Sequence, residues 1–275
     1  MSSAGIIDIH QHYGALIGVP GSSGDAGAGL ERDRDSRLEG MEHFGVAKTA
    51  LMPGHSYSAP RGLTDIRAIN DGLHEYGKLE PERFAALFGT VDPRHGKASI
   101  GEVERVADLG FAGLSWHHRM QGLPMDHPVM FEIVARMDAL GLIALVHCYA
   151  NGDFEAPWRL RRLAERFPGT TFVALDAMTS PGNCEQLIAI AEANPNVFID
   201  LTSTLLGGRG VLMALERLGA GRLVYGSNSY SMTQPSSIAA LDAVDEAGLG
   251  EADRQAILGG NAARILGMTE GKETS

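Results

Sequence analysis

Cysteine is nearly missing from this chain: Cys148 and Cys184 are the only two in 275 residues. Two thiols supply neither a disulfide framework nor a thiolate metal cluster, and they make a reducing, cytoplasmic setting the expectation. Long apolar runs are missing as well. No stretch approaches the roughly 20 uninterrupted apolar residues that cross a bilayer, so no membrane partner is expected. The opening MSSAGIIDIH places no basic segment ahead of an apolar one, so no signal peptide is expected. Positive charge is scarce: 23 basic against 34 acidic residues leave a formal charge of −11, which argues against nucleic acid as a partner. No G-x-G-x-x-G follows the first apolar run, which removes the usual dinucleotide signature. A small-molecule partner remains.

What is present has a rhythm. Short apolar runs at 6–10, 47–52, 84–91, 112–116, 143–147, 171–175, 197–201 and 223–226 alternate with amphipathic stretches such as LTDIRAINDGLHEYGKL and APWRLRRLAERFPG. Nearly continuous apolar character is what parallel strands covered on both faces show. Eight strands, each followed by a helix, predict an α/β (β/α)8 TIM barrel with parallel strands and an extra C-terminal helix, one domain over 1–268 with a disordered tail over 269–275. Asp126 and Ser180 are expected helix N-caps, and Gly141, Gly169 and Gly219 expected stops. The Gly-, Ser- and Asp-rich stretch 18–35 reads as a loop after the first strand, a lid or a plain connection.

In such a barrel the residues just past the C-terminal strand ends face the active site. Those positions carry His10 and His12, His55, Asp92, the run Trp116-His117-His118-Arg119, His147, Asp176, Asp200 with Thr202, and Ser227 with Asn228. Six of ten histidines fall on this rim, while His43, His74, His95 and His127 read as surface residues. In an extended strand Asp8, His10 and His12 share one face, and two imidazoles two residues apart can bind one metal ion together. Neighbouring side chains diverge, so one of His117 and His118 faces the cavity; His118 is taken as the catalytic candidate. Asp92 before Pro93 reads as structural turn chemistry. An ionised Asp176 at a buried strand end needs a partner or a metal. Trp116, Tyr149, Trp158 and Tyr230 suit a small planar substrate, and Arg119 or Arg61 could grip a carboxylate. His55, Trp116, Arg119 and Tyr149 are the substrate-binding candidates.

The motifs IIDIHQH, LGFAGLSWH, LGLIALVHC, LVYGSNS and ILGGNAARILG, in this order, resemble the amidohydrolase superfamily, in its amidohydrolase-related branch of metal-dependent hydrolases and decarboxylases. The resemblance implies that His10, His12 and His147 ligate one divalent metal, zinc first and manganese or iron as alternatives, and it allows a homodimer. Two positions depart from the family pattern. Asp176 stands where strand six carries a histidine, and Asn228 where strand eight carries the aspartate that binds metal and acts as base. An amide cannot take a proton from water at neutral pH. The expectation is therefore a hydrolase of a C–N or C–O bond with a displaced carboxylate: Asp176 as fourth ligand or base, Asn228 orienting the substrate. The alternatives are a metal-dependent decarboxylase of a small carboxylic acid, or a metal-free enzyme or ligand-binding protein.

Overall fold

Eight parallel strands follow one another round a single sheet in chain order, β1 Ile6–Tyr13, β2 Val46–Pro53, β3 Phe84–Gly89, β4 Gly113–Trp116, β5 Ile143–His147, β6 Phe172–Leu175, β7 Val197–Asp200 and β8 Leu223–Val224. The computed structural model describes residues 5–14, 28–54, 57, 59–149, 153–202, 204, 206–230 and 236–268. All eight expected strands form, with β1 running on to Tyr13 and β8 shortened to two residues. Backbone bonds from Ile9 N–H to Tyr225 O (3.0 Å), His12 N–H to Ser229 O (2.7 Å) and Asn228 N–H to His10 O (2.8 Å) join the segment after β8 to β1 and bring the sheet round into a barrel.

Helices follow the strands: α1 Ala28–His43, α2 Leu63–Gly77, α3 Lys97–Asp108, a short α4 His118–Gln121, α5 Pro128–Leu140, α6 Pro157–Arg166, α7 Pro181–Ala193, α8 Gly208–Leu218 and, after β8, α9 Ser236–Glu246. Residues 28–35, expected as loop, are thus the first turns of α1. Residues 18–27 and the tail 269–275 lie outside the described residues. Ser180 caps α7, its Oγ accepting from Asn183 N–H at 3.2 Å. Asp126 does not cap α5. His127 does so through Nδ1, while Asp126 is held by Arg159 and by Arg162 at 2.8 Å, an ion pair that a cap would forgo. Gly141 and Gly219 end α5 and α8 with positive φ, but α6 stops at Phe167, two residues short of Gly169.

Two apolar layers result. Ile7, Ile9, Met52, Phe88, Leu145, Leu175 and Phe198 fill the barrel interior, and a larger layer packs the strands' outer face against the helices. The extra C-terminal segment, α10 Glu251–Gln255, a π-helical turn Ala256–Gly260 and α11 Asn261–Ile265, closes the end of the barrel away from the site. Ala262 joins the inner layer, and Asn261 Nδ2 donates to Ala220 O and Leu223 O at 2.7 and 2.8 Å. Among the described residues no helix is long and apolar enough to cross a membrane.

Candidate metal centre and its surround

β1 delivers its two imidazoles through a defect. Opposite β2, Asp8 faces Thr49 and Gln11 faces Leu51, so three steps on β1 match two on β2. Such a bulge reverses the side-chain alternation. Ile7 and Ile9 point into the barrel, and beyond the bulge His10 and His12 do so too. Asp8, expected beside them, instead clamps the bulge. Its Oδ1 accepts from the backbone N–H of His10 and of Ser227, both at 3.0 Å, and its Oδ2 from Gln11 Nε2 at 2.8 Å. Burial raises the Asp8 pKa in spite of these bonds.

His10, His12 and His147 meet at one point, each offering a ligand atom within 4.8 Å of the others, all buried. Each ring is pinned from behind through Nδ1. His10 is held by Asp200 Oδ2 at 2.8 Å, His12 by Pro53 O at 2.7 Å and His147 by Trp116 O at 2.7 Å. Since carbonyls and carboxylates accept, every Nδ1 carries its proton and every Nε2 lone pair turns inward. The Nε2 atoms of His10 and His12 stand 3.0 Å apart. Two lone pairs at that distance need a positive guest, either a proton on His10 or a metal ion. Three imidazoles oriented in this way fit a divalent transition metal. Burial opposes charge on His10, but the hydrogen bond and charge of Asp200 outweigh it and raise the pKa. Burial, then the neighbouring imidazoles, hold His147 well below the usual range. The close approach of Asp200 to His10 also explains Gly226, where a Cβ would lie 2.3 Å from Asp200 Oδ1.

The rings form a column. Tyr230 stacks on His12 at 4.4 Å, His12 lies 5.7 Å from His147, and His117 stacks flat on His147 at 4.2 Å and 3°. Of the adjacent pair it is therefore His117, not His118, that lies against the centre. His118 turns the other way, fully buried beside Trp116, with neither ring nitrogen hydrogen-bonded. Burial and the neighbouring His117 push its pKa down to about 3. Trp116, expected to meet substrate, is also fully buried in the outer layer, and contributes its carbonyl rather than its ring.

Asp176 is not among the converging ligand atoms, against the expectation of a fourth ligand. It sits past β6 opposite Asn228, whose Nδ2 donates to Asp176 Oδ1 at 3.3 Å. Among the described residues these two are the only non-glycines with positive φ, 53° and 54°. Asp and Asn tolerate that left-handed backbone best among residues with a side chain, and strain of this kind gathers at functional sites.

Arg119 and Tyr149 do come together, the guanidinium lying 4.4 Å over the ring. Arg61 does not reach the cavity; it is largely exposed and paired with Asp65 at 2.6 Å. Trp158 is exposed on α6 under Arg159. Asp92 is structural, accepting from Arg94 N–H at 3.0 Å. His55 lies outside the described residues. Two residues carry more of the site than the sequence suggested. Fully buried Arg37, on α1, donates to Gln11 Oε1, His12 O and Tyr230 O at 2.8, 2.8 and 2.9 Å, tying both mouths of the β1–β8 seam together. Glu155, in a single turn after β5, accepts from His117 Nδ1.

Solved structures of the same fold include a 2,6-dihydroxybenzoate decarboxylase complexed with 2,6-dihydroxybenzoate (TM-score 0.73, 18% identity, covering 97% of this chain and 99% of that one). A 5-carboxyvanillate decarboxylase from Sphingomonas paucimobilis is similar (TM-score 0.71, 20% identity, 95% and 98%). So is a dihydroxybenzoic acid decarboxylase from a Polaromonas species with bound manganese and the inhibitor 2-nitroresorcinol (TM-score 0.72, 18% identity, 98% and 99%). Comparison with curated proteins finds no match. The family model described as amidohydrolase matches residues 7–268, nearly the whole length, and the chain belongs to that family.

Proposed function

We propose that this protein is a metal-dependent decarboxylase of a small hydroxylated aromatic acid. The observation that carries the reading is the amide at position 228 beside three converging imidazoles. Hydrolysis needs a base beside the metal-bound water; Asn228, past strand eight, cannot be one, and the carboxyl left for the task, Asp176, stands outside the converging imidazoles. Decarboxylation needs the reverse: a proton delivered to carbon as the carboxylate departs. The named decarboxylases that share the fold support the same choice over the hydrolase expected from sequence.

His10, His12 and His147 would hold the metal, with Asp200, Pro53 O and Trp116 O fixing their tautomers. A bound divalent ion would supply Lewis acidity toward the substrate's oxygens. Manganese in the Polaromonas enzyme makes manganese as natural a guest as zinc. Asp176, steered by the Asn228 amide, carries the proton. The bond from ring carbon to carboxylate breaks, carbon dioxide leaves, and the electron pair left on the ring carbon takes the proton from the Asp176 carboxyl. Water restores it. Tyr230 and Tyr57, stacked on and edged against the imidazoles, wall the ring in and exclude water.

The test is elemental analysis followed by a carbon dioxide release assay, in deuterated water, over dihydroxybenzoates and 5-carboxyvanillate. About one metal per chain and a deuterium at the vacated ring carbon are expected. Asp176→Asn should lower turnover by roughly a hundredfold or more with the metal retained. Release from none of these acids, with turnover of esters or amides instead, overturns the reading in favour of hydrolysis.

A further inference from the structure

Beside the three imidazoles sits a second polar unit, built from His117, Glu155 and Arg119. Arg119 Nη2 lies 3.2 Å from His117 Nε2. A guanidinium can only donate, so this Nε2 must accept, and the ring proton must be on Nδ1. That proton goes to Glu155 Oε1, which also accepts the backbone N–H of Arg119 at 3.1 Å. Glu155 is fully buried, and its Oε2 has no hydrogen-bond partner; Arg119 Nε stands 3.7 Å away, too far for one. The turn that bears Glu155 is fastened from outside, by Met125 N–H to Phe154 O at 3.0 Å and Arg159 Nε to Asp153 O at 2.6 Å. A buried, half-satisfied carboxyl on an anchored turn is costly unless it fixes something. What it fixes is the direction of one lone pair. His117 lies flat against His147, and the half-exposed Arg119 covers its Nε2.

We propose that His117 is a specificity-determining residue that accepts the hydrogen of a ring hydroxyl on the substrate, with Glu155 as the positioning residue that fixes its tautomer. Arg119 stands in for that hydroxyl in the free protein. When substrate enters, the hydroxyl takes the lone pair and the guanidinium, resting on Tyr149, turns to the ligand's acceptor oxygens. An acceptor and a donor side by side select a ring that offers a hydroxyl next to an oxygen anion. With the carboxylate and the hydroxyl beside it turned toward the ion that His10, His12 and His147 would hold, the hydroxyl left for His117 is a second one, and the substrate class is a dihydroxylated aromatic acid. This rests on the reading of the site as one for hydroxylated aromatic acids.

The test is equilibrium binding of 2-hydroxybenzoate, the 2,3-, 2,4-, 2,5- and 2,6-dihydroxybenzoates, and the counterparts in which the second hydroxyl is a methoxy group, to the manganese-loaded protein. At least one dihydroxy isomer should bind about tenfold or more tightly than 2-hydroxybenzoate. Its methoxy counterpart, which cannot donate, should lose that advantage. His117→Phe keeps a ring against His147 and removes the lone pair, so the preference should vanish there. Glu155→Gln keeps an accepting oxygen, so the preference should remain. The proposal is overturned if no isomer exceeds 2-hydroxybenzoate, or if the preference survives in His117→Phe. The wild-type series decides the point even if a variant fails to fold. Lost preference with carbon dioxide release intact removes only the hydroxyl reader, and preference without release removes only the decarboxylase. Binding of none of these acids overturns both.

Discussion

Asp200 governs His10 more tightly than a single hydrogen bond suggests. Both its oxygens are already accepting, Oδ2 from His10 Nδ1 at 2.8 Å and Oδ1 from Thr202 N–H at 3.0 Å. An amide in its place must set a donor against a donor on one side or the other. Asp200→Asn should weaken metal binding about 10–100-fold, read by competition with a chromogenic chelator. Proton and metal compete for the same nitrogen. The His10 pKa lies above its ordinary 6.5 in the folded chain. Its protonated form therefore stabilises the metal-free fold fully below about pH 6.5, and that contribution is lost as pH rises through the higher folded value. Metal affinity should climb over the same interval, because binding displaces the proton; affinity flat from pH 6 to 9 would contradict this.

Among the elements, β1 bears the most chemistry. Asp8→Ala would leave the N–H groups of His10 and Ser227 and the Gln11 amide without an acceptor. A loss of about 3 kcal/mol in denaturant unfolding is expected, with weakened metal binding as the bulge relaxes. The strand was legible in the sequence, because a parallel barrel strand is an apolar run. The bulge was not, because simple alternation already puts both histidines on one face and gives no sign of an extra residue. Only the β2 register, Asp8 to Thr49 and Gln11 to Leu51, reveals it. His10, His12 and His147 could be named from their places at strand ends. Glu155 could not: it belongs to a three-residue turn, Asp153–Glu155, with no periodicity or motif, and its role exists only through a contact 38 residues away in sequence. The choice between His117 and His118 hung likewise on which way α4 leaves β4, which neighbouring residues of one type do not encode.

Across the whole molecule, the converging imidazoles join β1 to β5, opposite staves of the barrel. An ion there should stabilise the fold by about 2.7 kcal/mol at a hundredfold excess over its Kd and raise Tm by roughly 5 °C. His12→Ala should abolish the difference between metal-loaded and chelated samples in a thermal scan. His118 contributes to acid unfolding, alongside His147, whose pKa is also held low. The folded pKa of His118 is about 3, so stability is intact above the unfolded 6.5 and falls away as pH drops toward the folded value. His118→Leu should spare about 3 kcal/mol of that loss by pH 4, seen as a lower midpoint of acid unfolding. The Asp176–Asn228 pair has a further consequence. Both seats have the same left-handed backbone, 53° and 54°, and face each other across the mouth. Either seat accepts either residue, and one nucleotide separates their codons. The carboxylate of this pair can therefore trade sides between the segments after strands six and eight by two point mutations, with the barrel beneath unmoved.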